Sequence, residues 1–230
     1  MLTVNKPSQR LLKILGLSLI TALSVQVEQV NAAALTFFNK TEFLNAINEP
    51  INLESFEGLP PDIIESEHNT ITLADFTLSV PAPDTNLSIE ENMDGASQAA
   101  TDGVYYVKNR RGQSLTFSFS QALNFFGIHI IDWGDVLDLG ALTLTTDQGD
   151  TFEIANVLTS TDLGSGNVLF FGLIADQPFK TLTLNQPSSD EVWSVDEVYY
   201  GATTSVPESS LLLGLMGIGM LGMGAILKRN

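Results

Sequence analysis

The chain has 230 residues, with 27 acidic side chains against 10 basic ones, a formal net charge of −17 and no cysteine. Without Cys there can be no disulfide framework, thiolate metal site, Cys nucleophile or acylated-Cys anchor. The acidity argues against nucleic acid or an anionic membrane surface as a partner. A hydrophobic fraction of 44% with only 16% charged residues excludes a chain disordered throughout.

The first 34 residues have the order of a secretory signal peptide. Lys6, Arg10 and Lys13 precede an uncharged run from Ile14 to Val25, and the small residues Ala32, Ala33 and Ala34 follow as a cleavage region. The body, residues 35–204, holds 25 acidic and 5 basic side chains, so the acidity belongs to the part that would be exported. Within it, Thr41 to Asn48 predicts one short helix, with Thr41 as cap and Phe43, Leu44 and Ile47 on one face.

Elsewhere the body alternates polar and apolar residues with period two, as strands with one buried face do. Thr70–Leu73, Phe76–Val80, Ser114–Ser120 and Ala141–Thr145 show it most clearly. Further strands are predicted over 51–56, 104–107, 124–131, 151–155, 167–174, 179–185 and 192–200. The segment between Thr145 and Thr151 predicts a hairpin turn with Gly149 in the left-handed position. Polar residues 81–103 predict a long surface loop or a weak edge. This pattern predicts an all-β fold, an antiparallel β-sandwich of jelly-roll form with one short N-terminal helix.

No hydrolytic triad, zinc spacing or phosphate loop emerges from this pattern. Gly95-Ala96-Ser97-Gln98-Ala99 lacks the buried strand that a nucleophile elbow requires before it. His68 and His129 are the only imidazoles, and neither has a partner at helical zinc spacing. A glycoside hydrolase needs two carboxyls facing each other across a cleft, a pairing that sequence cannot place. For stacking on sugar rings the chain offers Trp133, Trp193, Tyr105, Tyr106, Tyr199 and Tyr200. Trp133, in a Gly/Asp loop, is the one expected to be exposed and to contact a glycan.

The tail, residues 205–230, has three parts. Val206, Pro207 and Glu208 precede 19 uncharged residues, Ser209 to Leu227, long enough to cross a hydrocarbon core, and Lys228 and Arg229 close the chain. This order resembles the PEP-CTERM sorting signal of Gram-negative bacteria, although Ser209 stands where the name-giving second Pro would be. The resemblance implies an exosortase-type processing enzyme as partner, transient membrane contact through residues 209–227, and delivery to the cell surface or extracellular matrix beside exopolysaccharide. The body resembles the jelly-roll domains that precede such signals, through Phe56-Glu57-Gly58, Phe126-Gly127-Ile128, Phe170-Phe171-Gly172 and Val195-Asp196-Glu197-Val198-Tyr199-Tyr200-Gly201. Similar first and last strands occur in carbohydrate-binding modules. That likeness implies a structural Ca²⁺ held by Glu57 and Asp196. The function expected is that of a non-catalytic surface or matrix protein, with a secreted carbohydrate-binding module or a glycoside hydrolase as alternatives.

Overall fold

The structure is a computed structural model that describes residues 34–59, 66–81, 86–92, 98–110, 114–134, 140–157, 163–187 and 191–202. The predicted signal peptide up to residue 33, the sorting motif Val206, Pro207 and Glu208, and the apolar tail lie outside the described residues.

The described chain is mostly strand with one helix. In order it forms β1 (Leu35–Phe37), α1 (Lys40–Ala46), β2 (Asn52–Glu54), β3 (Thr70–Thr72), β4 (Phe76–Ser79), β5 (Leu87–Glu91) and β6 (Tyr105–Asn109). Then come β7 (Leu115–Ile131), β8 (Gly140–Thr146), β9 (Thr151–Val157), β10 (Val168–Asn185) and β11 (Trp193–Gly201). All recorded pairings are antiparallel, and the main path runs β5-β6-β11-β7-β10-β8-β9.

Two long strands curl this sheet. The first part of β7 pairs with β4 (Phe119 opposite Phe76), while its second part pairs with β11 (Phe125 opposite Gly201, Ile131 opposite Ser194). β10 follows β7 along its length but shifts register on either side of Phe179, where the strand bends. Each therefore serves two pairing partners in succession, and one core gathers buried side chains from β3 to β11. Phe117, Phe126, Phe171, Leu182, Val195 and Trp193 are fully buried there, each worth roughly 1.5–3 kcal/mol relative to exposure.

The helix packs on a second, smaller cluster. Its cap is Asn39, whose Oδ1 accepts from Thr41 N at 2.9 Å and Glu42 N at 3.1 Å, so the helix begins one residue before the expected cap Thr41. Phe43 is its anchor. Gly127 and Gly172 are direct cross-strand partners, and a Cβ on either would stand 2.6 or 2.5 Å from the Phe43 ring. Two facing glycines thus open the pit that the phenyl ring fills. Phe37, Phe125 and Phe170 surround it.

Two strands have no counterpart among those predicted. β1 carried no recognisable signal, and β5 lies inside the segment expected to be a loop. Leu87, Ser88, Ile89 and Glu90 of β5 are all buried. Its polar positions are tolerated because Glu90 pairs with Lys108 and Arg110 and accepts from Ser88 Oγ at 2.9 Å. The predicted β8–β9 hairpin is present, with Gly149 at φ 91°.

Candidate functional site

A small open cavity of about 110 Å³ lies where β7 crosses from one partner to the next. Asn52, Asp75, Phe119, Ser120, Gln121, Leu123 and Tyr200 line it. Register explains how four distant segments meet. Asn52 of β2 is the cross-strand partner of Tyr200 of β11, and Phe76, just after Asp75, is the partner of Phe119. Ser120 N donates to Asp75 O at 2.9 Å and closes the corner.

The floor is apolar and rigid. Phe119 and Tyr200 have ring centroids 5.3 Å apart, and Phe76 lies 5.0 Å from Phe119 and 5.5 Å from Tyr200. Such ring pairs add about 0.5–1.5 kcal/mol each beyond area burial. The rim is polar: Asn52, Ser120 and Gln121 are exposed, as is Asp75, whose Oδ2 accepts from the Tyr200 hydroxyl at 2.8 Å. Burial, and then the bond to Asp75, push the Tyr200 phenol well above its ordinary range, so it stays a neutral donor. An apolar floor inside a ring of amides, a hydroxyl and a carboxylate suits a hydroxylated ring, whose C–H face packs while its edge makes hydrogen bonds.

The expected calcium pair has different partners. Glu57 Oε1 accepts from Val104 N at 2.6 Å and Tyr105 N at 2.8 Å. Asp196 Oδ2 accepts from Thr101 N, Thr101 Oγ1 and Asp102 N at 2.7, 2.9 and 3.1 Å, and Oδ1 from Glu197 N at 2.7 Å. The two carboxylates are thus brought to one segment, residues 101–105, which they hold against β11. Three of their four oxygens, Glu57 Oε1 and both of Asp196, accept hydrogen bonds from the chain itself. Among the described residues no group of three metal-ligating side chains forms.

Beside Asp196, a bulge in β11 at Glu197 (φ 48°) changes which residues face the core, from Trp193 and Val195 before it to Val198 and Tyr200 after it. The Glu197 carboxylate receives Lys40 Nζ and the Tyr199 hydroxyl on Oε1, with His129 Nδ1 at 2.9 Å from Oε2. Burial opposes its charge, but these partners outweigh burial and hold its carboxyl below the usual range. Burial and the bond to Glu197 push Tyr199 up to about 12. Burial lowers His129 despite Glu197 nearby. This network latches the first turn of α1 to the sheet.

Trp133 was expected to be exposed, and here the structure corrects the sequence reading. The side chain is fully buried in the main core, with its indole N–H donating to Gln186 Oε1. Gly134 N donates to buried Glu191, and Asp132 (φ 60°) accepts from Gly166 N at 2.6 Å, so the residues on either side of Trp133 are pinned to neighbouring segments. Trp133 presents no face to a glycan. Trp193 is buried too. Of the cavity lining, only Tyr200 stood among the aromatic candidates. Asn52, Asp75, Phe119, Ser120, Gln121 and Leu123 belong to no motif, and their convergence is set by strand register alone.

No known protein family matches the chain, and no curated protein matches it. Among solved structures it is similar to two cleaved adhesin domains of Lys-gingipain from Porphyromonas gingivalis. One is 11% identical, covering 67% of this chain and 99% of that one, at TM-score 0.44. The other is 12% identical, covering 66% and 98%, at TM-score 0.41. A family 29 carbohydrate-binding module is similar at 13% identity over 66% of this chain and 94% of that one, at TM-score 0.30.

Proposed function

We propose that this chain is a non-catalytic, exported surface or extracellular-matrix protein whose jelly-roll-like body holds carbohydrate at the Asn52–Asp75–Phe119–Gln121–Tyr200 cavity. The observation that carries this reading is the cavity itself: a rigid aromatic floor within a rim of four polar side chains, open to solvent and sized for the edge of a single ring. The sequence patterns at the two ends support the address. A signal-peptide-like start and a Val206-Pro207-Glu208 motif before an apolar tail suit export followed by removal of the tail by an exosortase-type enzyme. A strongly acidic body suits a hydrated polysaccharide layer.

Two measurements test the two halves. Intact mass of the mature native protein is expected to lack both Met1 and Asn230. A product retaining both ends overturns the address. For the cavity, the full-length chain in a sugar-free detergent is titrated calorimetrically with a panel of oligosaccharides. Saturable binding is expected, and Asn52→Ala with Gln121→Ala is expected to weaken it about tenfold through the loss of two rim hydrogen bonds. These exposed positions are expected to leave the thermal midpoint within about 2–4 °C. Absence of binding across the panel, or affinity unchanged by the double substitution, refutes the site.

A further inference from the structure

We infer that the cavity selects a sugar ring carrying a free ammonium group, an amino sugar, with Asp75 as the ammonium's partner; this rests on the carbohydrate reading above and specifies its ligand. The inference comes from what surrounds Asp75. Among the described residues it is the one carboxylate lining the cavity, it is exposed, and it already accepts one hydrogen bond on Oδ2, from the Tyr200 hydroxyl. That bond fixes the carboxylate's orientation against an aromatic wall.

Among the described residues, the side-chain ion pairs commit Lys40 to Glu197, Lys108 to Glu90, and Arg110 to Glu90 and Glu67. None serves Asp75. Glu54, the residue of β2 that follows Asn52 and Leu53, lies close enough to Asp75 for their charges to act on each other. Burial pushes the Glu54 carboxyl up, the bond from Phe56 N pulls it down, and the charges of Asp75 and Asp196 push it up again. Asp75 and Asp196 thus act on the same stretch of sheet, and a cation arriving at Asp75 relieves that repulsion.

A neutral hydroxyl meeting Asp75 brings charge on the acceptor side alone, whereas an ammonium is charged on both sides and supplies a counter-charge that none of the described ion pairs gives Asp75. A uronate brings a second negative group into an uncompensated field. The apolar floor of Phe119, Leu123 and Tyr200 distinguishes the ligand from a bare inorganic cation, for which a hydrophobic wall has no use.

The test uses the full-length chain in a sugar-free detergent, titrated with a β-linked glucosamine tetramer and with its fully N-acetylated counterpart, at a pH where the free amines are charged. The glucosamine tetramer is expected to bind about tenfold more tightly. Asp75→Asn is expected to shrink that ratio to within about twofold, since the amide still accepts from Tyr200 but carries no charge. Asp150→Asn, which makes the same change in net charge at the exposed β8–β9 turn, is expected to leave it near tenfold. If Asp75→Asn fails to fold, the wild-type chain alone decides. Raising the pH until the amines are neutral is then expected to abolish the ratio, and added salt to reduce it. Equal binding of the two tetramers, or a preference that survives Asp75→Asn or falls equally in Asp150→Asn, overturns the inference while leaving a carbohydrate site in place. If neither tetramer nor any neutral oligosaccharide binds, the carbohydrate reading fails and this inference with it.

Discussion

Asp196 and Glu197 are neighbours in one strand, nearly equally buried, and they are stabilised by opposite means. Asp196 is held by neutral groups only: the N–H groups of Thr101, Asp102 and Glu197 and one hydroxyl. Burial outweighs them and leaves its carboxyl raised. Glu197 meets Lys40, Tyr199 and His129, and its carboxyl is held below the usual range. The difference shows two ways of fastening loose chain to a sheet. Asp196, with Glu57, clasps a loop by its backbone. Glu197 clasps a helix by a side-chain charge. The first leaves several main-chain donors dependent on one carboxylate. The second leaves a lysine that is still partly exposed and can turn to water.

The sharpest way to break this comparison is to remove each carboxylate in turn. Asp196→Ala removes the acceptor of three backbone N–H groups and a hydroxyl, at about 1–3 kcal/mol for the buried Glu197 N–H and less for half-buried Thr101 and exposed Asp102, partly offset by sparing a buried charge. A net loss of about 3 kcal/mol in unfolding free energy is expected, with faster amide exchange at residues 101–105. Glu197→Gln keeps an acceptor for Tyr199 and strands no main-chain donor, so about 1 kcal/mol is expected, with exchange rising in α1 and not at 101–105. Denaturant unfolding with site-resolved hydrogen exchange measures both. Equal losses, or exchange rising in the same segment for both variants, would show that the two carboxylates belong to one network.

Much of the fold was legible in the sequence because period-two alternation reports local geometry directly. The strands around Thr70–Leu73, Phe76–Val80 and Ala141–Thr145 lie where the pattern puts them, and Gly149 turns the hairpin. What alternation cannot show is a strand that changes partners. Residues 114–120 and 124–131 read as two strands, yet they are one, because the break in pattern near Ala122 is a crossing and not a turn. β5 was hidden because Ser88 and Glu90 are polar, and the cations that make their burial tolerable, Lys108 and Arg110, lie on β6 and just after it.

The candidate site was less legible than the fold. Trp133 drew attention through its Gly and Asp neighbours, but its burial depends on Gln186, 53 residues away. Likewise Asp75 meets Tyr200 across 125 residues. The glycines of Phe126-Gly127-Ile128 and Phe170-Phe171-Gly172 have a structural role that the sequence reading does not name. They pair to admit Phe43 and so position the helix, not the cavity. A sequence states which groups exist, while long-range register decides which of them meet.

The finest distinction between the two carboxylates lies in how stability responds to acid, and here their signs are opposed. A carboxyl raised in the folded state takes up protons more readily folded than unfolded. Asp196 therefore contributes stability below its unfolded value near 3.8, and that contribution is lost as pH rises through the folded value. A carboxyl lowered in the folded state behaves in the reverse way. Glu197 contributes above its unfolded value near 4.5, and the contribution is lost as pH falls through the folded value. His129, lowered from 6.5 by burial, adds a separate loss as pH falls from 6.5. In wild-type protein the two carboxylates partly cancel below pH 4.5. Asp196→Asn removes the term that opposes acid unfolding, so stability is expected to fall more steeply there than in wild type. Glu197→Gln removes the term that promotes acid unfolding, so its profile is expected to flatten below pH 4.5. Just below pH 6.5 it is expected to steepen, because His129 has lost the neighbour that favours its cation. Unfolding free energies measured by urea titration from pH 3 to 8 resolve these slopes. Two variants with the same slope below pH 4.5 would mean that the two neighbours share their protons and that their opposed shifts are not a property of separate sites.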